Sequence, residues 1–177
     1  MPLWLIGMMG SGKSVVGRAL AARTDRAFLD TDELVEASAG CSIGELFAQE
    51  GEPVFRLREA EAIAAAASSG NSVIATGGGA VLLPANVVAM RSSGPVVWLQ
   101  AAPVTLASRI GDQPGRPLLN GSSNDERSSD GDLEARLSAI LAARMTAYEF
   151  AADYTVPTDD ATAEEVAMLI EELWNAS

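Results

Sequence analysis

The chain has 177 residues, of which 48% are hydrophobic and 20% charged, and a net charge of −12. That is enough for one domain with a full core, and the acidity argues against broad nucleic-acid binding. The absence of histidine excludes histidine acid–base chemistry and leaves little to build a zinc site from, while a lone cysteine, Cys41, excludes an internal disulfide.

The lone cysteine fits a reducing compartment, so the cytoplasm is the expected location. No apolar run approaches the roughly 18 residues of a membrane span. The first apolar run, Leu3 to Ile6, is short and leads straight into a glycine loop, unlike a signal peptide. It reads as a buried strand.

Gly7 to Ser14, GMMGSGKS, fits G-x-x-x-x-G-K-[ST]. A helix, VVGRALAAR, follows it. Strand, glycine loop and helix together form a phosphate cradle, in which backbone N–H groups and the helix N-terminus face the anion. Gly10, Ser11, Gly12, Lys13, Ser14 and Val15 are therefore candidate nucleotide contacts. Lys13, the only lysine in the chain, would reach the β- and γ-phosphates, and Ser14 would hold Mg²⁺.

Strands and helices then alternate, the α/β pattern of a parallel sheet. Ala27 to Leu29 is a short strand ending at Asp30. Residues 31–39 and 43–49 read as helices broken near Gly40, and 53–68 as an alanine-rich helix with proline near its start. Residues 72–75 form a strand that enters Gly77-Gly78-Gly79. Helix 84–91, strand 95–99 and helix 103–109 follow. Residues 111–131 are rich in Gly, Ser, Asp and Pro and long enough for a functional lid. An amphipathic helix over 132–152, a strand over 154–156 and a helix over 162–174 close the chain. No internal repeat or second domain is evident.

Ligands of open parallel sheets gather at the carboxyl ends of the strands. There stand the glycine loop, Asp30-Thr31-Asp32 and the three glycines. Asp30 is the best available carboxylate for Mg²⁺, acting through water, and Asp32 could take a substrate hydroxyl or its proton. Asp30 with Glu33 also resembles a capping box, and both roles can hold for Asp30. The glycines fit either close backbone approach or a plain turn. Arg144 lies on the apolar face of its helix with Leu137 and Tyr148. It is either an anion contact or a structural ion pair or snorkelling side chain. Arg56 is similar, with Glu59 one turn away to orient it. Arg116, in the lid, suits charge neutralisation on the transferring phosphoryl group. Arg109 either stacks on adenine or answers the helix C-terminus.

In this order GMMGSGKS, LDTD at 29–32, Phe55-Arg56 with Glu59, GGGAV at 77–81, RPLL at 116–119 and Arg144 with Tyr148 resemble shikimate kinases over almost the whole chain. The resemblance implies a single domain, 1–177, of three α/β/α layers, close to nucleoside monophosphate kinases. Its five-stranded parallel sheet would run 2-3-1-4-5, with a substrate region about 31–68 and a lid about 111–131. It implies transfer of the ATP γ-phosphoryl group to the 3-hydroxyl of shikimate, in the route to chorismate and aromatic amino acids. The catalytic set would be Lys13, Asp32 and Arg116. Asp32, Arg56, Gly77, Gly78, Gly79 and Arg144 would bind shikimate, the two arginines on its carboxylate. Arg109 and Arg116 would join the nucleotide contacts, and Ser14, with Asp30 through water, the magnesium.

ATP and shikimate are the implied partners, with no nucleic acid and no membrane, and a monomer is expected. Many members carry an arginine near adenine in the last loop. Here residues 157–161 read PTDDA, so backbone must serve. The lid is also longer and more acidic after Leu119 than the family leads one to expect. A different small-molecule kinase, such as a gluconate kinase, fits a carboxylate clamp with DTD less well. A nucleotide-binding signalling module is disfavoured because Lys13, Asp32 and the arginines are all present.

Overall fold

A computed structural model describes residues 1–111 and 130–175, the side chains of 130 and 131 excepted. The five strands are β1 (Leu3–Ile6), β2 (Ala27–Asp30), β3 (Ser72–Ala75), β4 (Val96–Gln100) and β5 (Tyr154–Pro157). They form one parallel sheet in the order β2-β3-β1-β4-β5, as expected. The helices are α1 (Lys13–Arg23), α2 (Thr31–Ala39), α3 (Ile43–Ala66), α4 (Pro84–Ser93), α5 (Pro103–Ile110), α6 (Asp130–Ala151) and α7 (Ala163–Asn175). A short 3₁₀ turn at Ala80–Leu82, which the sequence pattern did not announce, sits between β3 and α4.

The two-residue period of a strand divides the core into two faces. Trp4, Ile6, Ile74, Val96 and Trp98 point to the side covered by α3, α4, α5 and α6. Leu3, Leu5, Val73, Val97 and Leu99 point to the side covered by α1 and α7. Strands buried on both faces are continuously apolar, which is why β1 and β4 read as hydrophobic runs. Val35, Leu46, Phe55 and Ala62 form a smaller core between α2 and α3, which carries Arg56.

The two helices read at 43–49 and 53–68 are the two limbs of α3, parted at Gly51, whose φ of 81° and ψ of 174° are not helical. Pro53 opens the second limb, where its missing N–H costs nothing. Register fixes the site: Leu5 lies opposite Ala75 and Val97, and Asp30 opposite Ala75. The glycine loop after β1, Asp30 at the end of β2 and the glycines after β3 therefore share one edge.

Candidate active site

Gly12 is the N-cap of α1, in the left-handed region at φ 91°, with no side chain capping the helix and no acid in its first turn. The helix N-terminus is thus left for an external anion. The Lys13 ammonium donates to the carbonyls of Gly7 at 3.0 Å and Met8 at 2.8 Å, which holds it across the loop. Gly10, Ser11, Gly12, Lys13, Ser14 and Val15 line a cavity of about 430 Å³, together with Arg109 and Thr158.

Arg109 reaches out of the last turn of α5. It donates to the Thr158 carbonyl and, at 3.1 Å, to the Thr158 hydroxyl. Thr158 is 2% exposed, and its N–H donates to the Gln100 carbonyl at 2.8 Å. Asp159 accepts from the Ala102 N–H at 2.8 Å. The Thr105 side chain, and then that amide, hold the Asp159 carboxyl below the usual carboxylate range. The loop that lacks its own arginine is therefore fastened by one from α5. The resemblance marked the loop 157–161, but nothing in the sequence singled out Thr158 or Asp159 within it, because a loop has no period to read.

Ser14 donates to Asp30 Oδ2 at 2.7 Å, and Asp30 Oδ1 accepts from the Asp32 N–H at 3.0 Å. One carboxylate thus caps α2 and holds the P-loop hydroxyl. The capping box does not form, because Glu33 pairs with Arg18 on the surface, at 2.6 Å, instead of reaching back. Among the described residues no cluster of three His, Cys, Asp or Glu could enclose a metal ion. A hydroxyl and a carboxylate at one point nevertheless suit a hard cation that keeps phosphate and water oxygens as its other ligands.

A second cavity of about 350 Å³ is lined by Asp32, Arg56, Glu59, Arg144 and Gly77 to Gly79. Ser14 lines both cavities, so the phosphate cradle and the second site meet at this residue. Arg56 donates to Glu59 at 2.8 Å and Glu52 at 3.1 Å. Glu59 is 1% exposed, and burial pushes its carboxyl above the usual range, with Arg56 pulling it back in part. Its other oxygen, Oε1, has no donor among the described residues. Arg144 Nη1 donates to the Gly78 carbonyl at 3.1 Å. No ion pair among the described residues involves Arg144, although its charge helps to hold down the Glu59 carboxyl.

Both readings of the three glycines hold: the Ala80 N–H closes a turn on the Gly77 carbonyl at 3.1 Å without positive φ, and side chains approach the glycines closely. A Cβ on Gly79 would stand 2.7 Å from Arg56 Nη1, and one on Gly77 the same 2.7 Å from Asp32 Oδ1 and Glu59 Oε1. The Gly77 N–H donates to the Thr31 hydroxyl at 3.1 Å, which ties the glycine loop to the start of α2. Arg116 lies outside the described residues, as does almost all of the lid read at 111–131.

The model of the shikimate kinase family matches residues 9–174. The chain belongs to the shikimate kinase family. Among its relatives, the shikimate kinase of Symbiobacterium thermophilum is 48% identical over 174 residues, covering 97% of this chain and 95% of that one. That of Moorella thermoacetica is 45% identical over 172 residues, covering 97% and 93%. A solved structure, the shikimate kinase from Acinetobacter baumannii in complex with shikimate, superposes with a TM-score of 0.90 at 33% identity, covering 99% of this chain and 93% of that one. This member of the shikimate kinase family is accordingly an ATP-dependent kinase, a transferase. In it Tyr148 was legible as an apolar-face residue four after Arg144, but its contact with Gly78 was not.

Proposed function

We propose that this kinase phosphorylates the 3-hydroxyl of shikimate with ATP, giving shikimate 3-phosphate and ADP, and that its two cavities divide the substrates. The observation that carries this is Ser14 standing on the wall common to both, with Lys13 beside it. The nucleotide phosphates take the loop from Gly10 to Val15, and Arg109 with Thr158 flanks the base. Shikimate takes the other cavity, its carboxylate on Arg56 and Arg144 and its ring hydroxyls on Asp32 and the edge of Gly77 to Gly79.

Phosphoryl transfer needs placement and charge stabilisation more than covalent help. Asp32 accepts the proton of the attacking hydroxyl as its oxygen bonds to the γ-phosphorus and ADP leaves. Lys13 and Arg116 neutralise the charge on the phosphoryl oxygens. Ser14, and Asp30 through water, would hold Mg²⁺, which supplies further charge neutralisation when bound.

We take the chain as a single domain with a substrate region about 31–68 and a lid about 111–131, working as a monomer in the cytoplasm. Its lone cysteine supports the compartment. No helix among the described residues is long and apolar enough to cross a membrane. The test is ADP release with purified protein, ATP, Mg²⁺ and a panel of hydroxylated acids. Turnover should require shikimate, and turnover with gluconate instead would reject the reading. Sedimentation reports the oligomeric state.

A further inference from the structure

The Gly78 carbonyl accepts two donors from α6: Arg144 Nη1 at 3.1 Å and the Tyr148 hydroxyl at 2.6 Å. The two side chains are four residues apart and so meet on one helix face. Arg144 lines the second cavity, and Tyr148 does not. The Tyr148 ring is 1% exposed and stacks on Trp98 of β4, with centroids 5.4 Å apart and 12° between the planes. Burial pushes the phenol up to about 12, so it stays a donor at any working pH.

Gly77 is held by Thr31, and the Gly77 carbonyl accepts from Ala80 N–H at 3.1 Å. Among the described residues, the N–H groups of Gly78 and Gly79 meet no acceptor. The Gly79 carbonyl accepts from the Leu82 N–H at 3.0 Å, and the donors to the Gly78 carbonyl among the described residues are the two from α6. A trans peptide is rigid and planar, with its carbonyl and N–H on opposite edges. Gripping the Gly78 carbonyl thus sets the direction of the Gly79 N–H. Without the grip, two successive glycines could rotate their shared peptide at little steric cost. The grip also keeps the Arg144 guanidinium against that carbonyl and the Tyr148 hydroxyl, at the wall of the second cavity.

We propose that Tyr148 is a positioning residue for the acceptor substrate: it fixes the Gly78–Gly79 peptide plane and the seat of Arg144 without touching the substrate itself. This rests on the reading of the second cavity as the shikimate site. It also assigns Trp98 a part, because the indole stacks on the phenol ring whose hydroxyl reaches Gly78.

The experiment is Tyr148→Phe, which keeps the ring and removes only the hydroxyl. Steady-state kinetics should show a rise in shikimate KM of about 3- to 10-fold, the effect of one lost hydrogen bond. The kcat should stay within about twofold and the ATP KM should not move. A purely structural role would lower the melting temperature without this split, and an unchanged shikimate KM would overturn the proposal. If the variant lacks a cooperative melt, Trp98→Phe carries the test, with the same split at about 2- to 5-fold; no change in shikimate KM there counts against the proposal equally. Arg144→Ala is the control. If it raises the shikimate KM and Tyr148→Phe does not, only the role of Tyr148 fails. If neither moves it, the assignment of the cavity fails as well.

Discussion

Replacing Gly79 with alanine asks whether the glycines exist to let Arg56 lie flat against the chain. The backbone at Gly79, with φ −102°, accepts alanine without strain. The added Cβ would stand 2.7 and 2.8 Å from the two terminal nitrogens of Arg56 and 3.1 Å from its Cζ. Ordinary contact begins near 3.4 Å, so the guanidinium must retreat by about 0.7 Å. That retreat acts on a group held at 2.8 Å by Glu59, which is itself buried and cannot follow. Displacements of about 1 Å in a positioning group cost up to about 100-fold in rate. The expected loss in kcat/KM for shikimate is therefore about 10- to 100-fold, or about 1.4 to 2.7 kcal/mol of transition-state binding. Parallel ADP-release assays varying shikimate and then ATP should place the loss on the shikimate axis. A folded Gly79→Ala variant with shikimate KM and kcat within twofold of the parent would refute the close-approach argument.

Arg116→Ala should lower kcat by about 10³-fold or more, as for an arginine on a transferring phosphoryl group; a change confined to shikimate KM would remove it from that role. Ser14→Ala, which deletes the donor to Asp30, should raise the Mg²⁺ concentration needed for half-maximal rate, by about tenfold, measured by titrating the metal at fixed ATP. Glu59 predicts a pH effect, since burial raises its native pKa. As pH falls through the window above the ordinary glutamate value, native Glu59 takes up its proton and Arg56 loses a charged partner. The shikimate KM should then rise toward low pH in the parent and stay flat in Glu59→Gln. The stability sign is the opposite: a raised native pKa contributes most below the unfolded value and is lost as pH rises through the native one. Denaturation midpoints of parent and Glu59→Gln should thus diverge between those limits, and parallel curves would contradict the raised pKa.

Much of this protein was written locally. The phosphate cradle is eight consecutive residues whose function follows from backbone bends and a helix N-terminus, so nothing distant is needed to recognise it. The strands and their two faces follow from apolar runs and a period of two, and Asp30 and Asp32 were legible because they close a strand beside that loop. Arg56 with Glu59, and Arg144 with Tyr148, were visible as neighbours on a helix face, because three- and four-residue spacings are contacts within one turn. The linear pattern could not tell which partner each would find across the sheet. Asp30 as cap and Glu33 as its box mate were equally good locally, and the approach of Arg18 on α1 decided against the box. Neither reading of Arg109 anticipated Thr158, 49 residues away, and the purpose of Gly79 appeared only once Arg56 lay against it. Gly78 meeting Tyr148, 70 residues on, belongs to the same class. Local motifs are dictated by a few torsions and near neighbours, whereas these contacts depend on how the layers pack, which no short stretch of chain encodes alone.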